Sequence, residues 1–250
     1  MFLMIQGLYS SASGMTNQQK SIDTIANNIA NINTTGFKSS RMDFKEALYV
    51  TMLNEDTGAP VEKGTGVLLA GVRKSFAPSS LEATGSPLDF AVEGDAFFAV
   101  QVPGGQTLYK RDGRFAVSMG EEENYLVTVE GYYVLDGNGE KIAVNGLPSE
   151  FKVSSDGSIQ NEEGELGIFS FANNEGLEAV GDNCFRETVA SGPSNEAGKF
   201  AVKQGYLESS NVDLADEMAR LIRAQRAYQM AARAVTLIDQ MEANANNLRT

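Results

Sequence analysis

Three adjacent acids, Glu121-Glu122-Glu123, form the densest carboxylate cluster in this 250-residue chain. Two carboxylates held across a sugar ring can cleave a glycosidic bond, one as acid and one as nucleophile or base. Neighbouring acids behind a glycine (Gly120) read instead as a solvated loop tip with no chemistry to do. Asp136-Gly-Asn-Gly-Glu140 has the opening spacing of a calcium loop but lacks the later ligands, and reads as a turn. Gly64-Thr-Gly66 runs into Val-Leu-Leu-Ala, so the third glycine of a dinucleotide loop is misplaced and no helix follows. Cys184, the single cysteine, has no adjacent base and reads as a small buried hydrophobe. Histidine is absent, which removes Ser-His and Cys-His nucleophile pairs, His-ligated metals and an imidazole base. One cysteine also excludes an internal disulfide and a cysteine metal cluster. The residues predict no catalytic site, no metal site and no cofactor.

The elements that carry these residues are patterned in three zones. Residues 1–44 hold three basic and two acidic side chains, residues 206–250 five and six, so the net charge of -13 lies in the centre. That balance argues against nucleic acid as a partner. No apolar run approaches 18 residues and the first basic side chain is Lys20, so neither membrane insertion nor a cleaved signal is expected. Ile5, Leu8, Ala12, Met15, Gln19, Ile22, Ala26 and Ile29 step by threes and fours, predicting a long amphipathic helix. Asn33-Thr-Thr-Gly36 then supplies a stop, with Gly36 available for a left-handed cap. At the other end Leu214, Leu221, Tyr228 and Val235 repeat every seven residues, with Met218, Gln225 and Ala232 between them. The stripe continues through Ile238, Met241, Ala245 and Leu248. Ser210, Asn211 and Asp213 offer N-caps. The centre shows short β-branched and aromatic runs punctuated by turn signals, from Leu88–Val102 through Phe200-Ala-Val202, which predicts antiparallel strands.

The expected fold is therefore α+β. A discontinuous helical coiled-coil domain comprises 1–44 with 206–250, an extended arm spans 45–84, and an antiparallel β domain fills 85–205. Between Met1 and Phe37 only Lys20 and Asp23 are charged, and the face opposite the stripe is Ser, Thr, Asn, Gln, Ala and Gly. A solvated helix normally shows charge there. Either the two helices form one hairpin with a merely polar outer face, or both faces are buried, one of them against neighbouring subunits. Neutral amides such as those of Asn27, Asn28, Asn31 and Asn33 bear that burial at less desolvation cost than charge.

Ala26-Asn-Asn-Ile-Ala-Asn-Ile-Asn-Thr-Thr-Gly-Phe-Lys38 resembles the N-terminal signature of the bacterial flagellar rod and hook proteins. Thr84–Asp89, Gly94–Phe98 and Tyr109–Phe115 resemble that family's central blocks, and Gly205–Asp213 with Ala224-Gln225-Arg226-Ala-Tyr228 its C-terminal block. The matches run in family order over nearly the whole chain. The resemblance implies a non-enzymatic axial subunit of the flagellar basal body, exported unfolded through the type III apparatus. Its partners would be copies of itself, other rod and hook subunits and the export apparatus. Within the family the C-terminal block is most similar to that of distal rod members, with a proximal rod or hook-like member as the alternative. A wall- or carbohydrate-binding β module on a coiled-coil stalk is the competing class. It predicts exposed aromatic platforms, whereas Trp is absent and the Tyr and Phe residues sit within strand runs.

Overall fold

The computed structural model describes residues 2–47, 49–53, 60–64, 66–119, 124–144, 147–148, 150–160 and 164–247. The chain divides into two units. Unit 1 takes residues 1–30, 40–74 and 212–250, and unit 2 takes residues 31–39 and 75–211.

Two helices and a ribbon make up unit 1. Helix α1 spans Phe2–Ala30 and α2 spans Leu214–Asn247. They run antiparallel: Gly7 lies against the Ile238 side chain, while Ile25 and Ala224 line one groove at the other end. Strand β1 (Ser40–Glu46) pairs antiparallel with β4 (Val67–Lys74), Ser40 opposite Lys74, with a slip between Asp43 and Phe44. Within that loop β2 (Tyr49–Leu53) pairs with β3 (Pro60–Gly64). Among the described residues, the stretch read as an extended arm thus holds two paired ribbons as far as Lys74. Amides on α1 hold it, because Asn17 Nδ2 donates to Val67 O at 2.6 Å. Asn28 both donates to Ser40 O and accepts from Ser40 N, each at 2.9 Å.

Unit 2 is antiparallel sheet. Its main sheet runs in the order β15 (Glu178–Gly181), β16 (Cys184–Arg186), β8 (Thr107–Lys110), β7 (Phe97–Gln101), β11 (Tyr133–Val134), β10 (Asn124–Thr128) and β9 (Phe115–Met119). On β7 also sits β14 (Ile168–Ser170), which pairs with β17 (Asn195–Glu196). Three ribbons complete the unit: β5 (Leu81–Ala83) with β19 (Tyr206–Glu208), β6 (Phe90–Glu93) with β18 (Ala201–Gln204), and β12 (Lys152–Val153) with β13 (Ile159–Gln160). Both faces of β7 are buried, so its apolar run does not alternate with polar residues. Phe98 and Val100 join one cluster with Phe90, Phe115 and Leu126. Phe97 and Ala99 join the other with Tyr109, Phe171 and Phe185. Because β19 pairs with β5, residues 206–211 belong to the β unit, six residues later than composition placed the change.

Candidate assembly surfaces and a buried charge cluster

Three chain segments converge on one carboxylate inside unit 2. Lys38, Arg111 and Glu208 are all buried. Glu208 Oε1 accepts from Lys38 Nζ at 2.8 Å and from the Ser79 amide at 3.2 Å, and Oε2 accepts from Arg111 Nε at 2.8 Å. The second cation is satisfied by backbone: Arg111 also donates to the carbonyls of Val92, Gly94 and Ala96, and Lys38 to that of Ala77. Burial alone would resist ionisation of Glu208, but its bonds to Arg111 and Lys38 outweigh burial and hold the carboxyl below its ordinary value. Every polar atom that matters has a partner, which is the condition for a buried ion cluster to be tolerated.

The neighbouring residues of the Gly-Phe-Lys motif are tied in the same way. Gly36 N donates to Glu208 O at 2.8 Å, and Thr35 Oγ1 donates to Asp112 Oδ1 at 2.9 Å. Burial pushes the Asp112 carboxyl up, against the pull of Thr35 and Lys110. Gly36 has φ +66°, and a Cβ there would lie 2.6 Å from Asp112 N. It does not cap α1, which ends six residues earlier at Ala30; it closes the turn that follows. Phe37 is buried, and Asn31 accepts from the Thr34 hydroxyl. Asn211 accepts from Ser39 N at 2.7 Å and donates to Ser75 O at 2.7 Å, so it joins segments and leaves capping of α2 to Asp213. Ser210 O accepts from Ser79 Oγ. Asn27, Asn33, Gln225 and Arg226 are exposed.

The helix stripes lie one residue away from the expected track at alternate positions. On α1 the inward residues are Leu8, Ser11, Met15, Gln18, Ile22, Ile25 and Ile29, with Ile25 buried and the rest half-buried. Ala12 and Ala26 face out, and the Ile5 side chain lies outside the described residues. On α2 the inward residues are Glu217, Leu221, Ala224, Tyr228, Ala231, Val235 and Ile238. Leu214 and Met218 are 44% and 49% exposed. The reason is visible in the residues: at α1 the larger Ile25 takes the inward place that periodicity had given to Ala26.

A second apolar face remains on α2. Met218, Ile222, Met230, Leu237 and Met241 are all exposed, Met230 by 65%. At about 100° per residue Ile222, Met230 and Leu237 fall on the side opposite the inward stripe, interleaved with Arg226 and Arg233, and Met218 and Met241 lie at its two flanks. Met and Arg beside bulky aliphatics are what the buried centres of protein interfaces favour.

The remaining candidates are structural. Cys184 is buried, and burial pushes its thiol up to about 11. Asp136 Oδ1 accepts from the amides of Asn138 and Glu140, so it closes a turn within its own loop. Glu121–Glu123, Thr65 and Leu248 lie outside the described residues. Among the described residues no cluster of three or more potential ligands could hold a metal, and no helix is long and apolar enough to cross a membrane.

Known families match the chain in three places. Residues 8–38 match "Flagella basal body rod protein", residues 91–164 "Flagellar hook protein FlgE/F/G D1 domain", and residues 203–248 "Flagellar basal body rod FlgEFG protein C-terminal". The Bacillus subtilis (strain 168) protein named flagellar basal-body rod protein FlgG is 36% identical over 267 residues, which covers 98% of this chain and 100% of that one. Its namesake in Borreliella burgdorferi is 38% identical over 269 residues, covering 98% and 99%. The rod protein FlgF of Mesorhizobium japonicum is 34% identical over 238 residues, covering 92% and 91%. The chain belongs to the flagellar basal-body rod protein family. The buried cluster of this rod protein takes one ion from each matched region: Lys38, Arg111 and Glu208. Sequence reading singled out Lys38, Arg111 and Glu208 only as motif letters, and missed Asn17. Nothing in periodicity pairs residues 170 positions apart.

Proposed function

We propose that this chain is a non-enzymatic axial subunit of the flagellar basal body, most similar to distal rod members. It polymerises into a helical tube that carries torque from motor to hook. The observation that carries this reading is the second apolar face of α2, which the chain itself leaves uncovered. A tube needs a heterologous contact whose rotation does not close into a ring, so each subunit must present two different surfaces. The helix pair supplies one of them: the inward stripes pack α1 on α2 within the chain, and the opposite face of α2 is left for a neighbouring copy. In the tube the pairs form a coiled-coil inner layer, with further contacts to other rod and hook subunits. Delivery through the type III export apparatus suits a chain with one cysteine, which has no disulfide to reduce before unfolding.

Substituting Ile222→Asp together with Met230→Asp tests the reading. Both positions are exposed in the free chain, so its stability should change by less than about 1 kcal/mol for the two together. The variant should be exported yet leave cells without rods and non-motile. Replacing Glu121, Glu122 and Glu123 by Gln should leave assembly intact. Normal rods from the double variant would overturn the reading.

A further inference from the structure

Methionine thioethers are the groups of this chain most open to a two-electron oxidant, and the exposed ones stand together. Trp and His are absent. The single cysteine, Cys184, is buried, and burial pushes its thiol up to about 11, so little thiolate exists at neutral pH to react. Among the described side chains, Met15 and Met42 are half-buried, whereas Met218, Met230 and Met241 are exposed by 49%, 65% and 56%. All three lie on the outer side of α2, Met230 between Ile222 and Leu237 and the other two at the flanks. Leu or Ile would offer that face the same apolar area; a thioether adds polarizability and a place for an oxidant to act.

We propose that Met230 is an oxidation site that gates assembly: with a thioether there, the outer face of α2 packs on a second copy, and with a sulfoxide it does not. The inference rests on the polymer reading above and names a control on that same face. The oxidant is hydrogen peroxide. The sulfur lone pair attacks one peroxide oxygen, and an S–O bond forms as the O–O bond breaks. That oxygen's proton passes to the leaving hydroxide, which departs as water; sulfur loses two electrons and the peroxide gains them. The product carries a strong hydrogen-bond acceptor in the middle of an apolar face, and burying it without a donor is costly. Arg226 and Arg233 stand one turn to either side of Met230. A guanidinium turned onto the new oxygen brings its own charge and water into the contact, so it does not restore an apolar surface. Once a neighbouring copy covers the sulfur, peroxide no longer reaches it, so the modification acts on free subunits and spares assembled ones. Reductases return the sulfoxide to the thioether, which makes the change reversible.

The test uses the full-length chain, with the critical concentration for polymerisation read by sedimentation and the melting temperature of the monomer read alongside. Free chain treated with hydrogen peroxide should gain one oxygen at Met230, located by peptide mass spectrometry. Its critical concentration should rise about tenfold or more while the melting temperature stays level. Treatment with methionine sulfoxide reductases should restore the original value. Met230→Leu should polymerise near the wild-type concentration and stay there after peroxide, since Leu and Met bury similar apolar volumes. Met230→Gln, which sets a polar group at the same place, should assemble poorly without any oxidant. Normal polymerisation of the oxidised wild type or of Met230→Gln, a Met230→Leu chain as sensitive to peroxide as wild type, or a loss of assembly that follows a lowered melting temperature would each overturn the oxidation site and leave the polymer reading standing. Oxidation of Met230 as fast in the polymer as in the free chain would overturn the burial of this face. A wild-type chain that stays monomeric at every concentration would overturn the polymer reading itself.

Discussion

Glu208 is one carboxylate answering two buried cations, and its removal should be felt far more than that of a surface acid. Substituting Glu208→Gln leaves Lys38 and Arg111 buried without their counter-charge, a loss of about 3–5 kcal/mol on urea unfolding at neutral pH. The pH dependence has a definite sign. The folded carboxyl lies below its ordinary value of 4.5, so its contribution is present above that pH and is lost as pH falls through the folded value. Glu130 acts in the same direction: burial opposes its charge, but bonds to Lys110 and Thr128 bring it below its ordinary value. Asp112, raised by burial, acts in the opposite direction. Acid titration of wild type should therefore show a fall in stability below pH 4.5 that is shallower in the Glu208→Gln variant. Gly113 is constrained by space alone. A Cβ there would lie 1.9 Å from Phe90 O, whose own amide donates to Gly113 O at 2.9 Å. The backbones must part to admit Gly113→Ala, which should cost more than about 2 kcal/mol by the same measurement.

At the scale of elements, the helices serve different neighbours with different chemistry. The polar side of α1 is not idle, because Asn17 and Asn28 hold the β1–β4 ribbon through backbone hydrogen bonds. Changing Asn28→Ala strips both partners from Ser40 and should destabilise unit 1 by about 1–3 kcal/mol, measured by hydrogen exchange at the β1 amides. Both helices and the antiparallel centre were legible in the sequence, since heptad spacing and turn signals are local properties. Leu8, Met15, Ile22 and Ile29, selected by spacing alone, are half-buried. Their partners were misplaced by one residue because a step of three and a step of four fit the same window equally well. The ribbon was not legible: β1 pairs with β4 some 30 residues on, and β4 is held by an amide 50 residues earlier, pairings no short window contains. The charge cluster was hidden for the same reason, as its ions stand at 38, 111 and 208.

For the whole molecule, function follows from what is left uncovered. Unit 2 buries its own core and pairs its own buried ions, while unit 1 keeps an exposed apolar face on α2. Unit 1 is also the neutral one, so copies can gather through it without summing charge, and the acidic unit keeps free chains apart before assembly. The competing wall-binding reading needs an aromatic platform, yet the phenylalanine clusters of unit 2 are turned into its cores, and Lys141 lies over the ring of Tyr133 in the half-buried Tyr125–Tyr133 pair. The most direct measurement is a helical reconstruction by cryo-electron microscopy of filaments grown from the full-length chain. The account predicts a tube in which Ile222, Met230 and Leu237 of each copy are buried against a neighbouring copy. Filaments that leave this face of α2 open to solvent, or a chain that forms none, would contradict it.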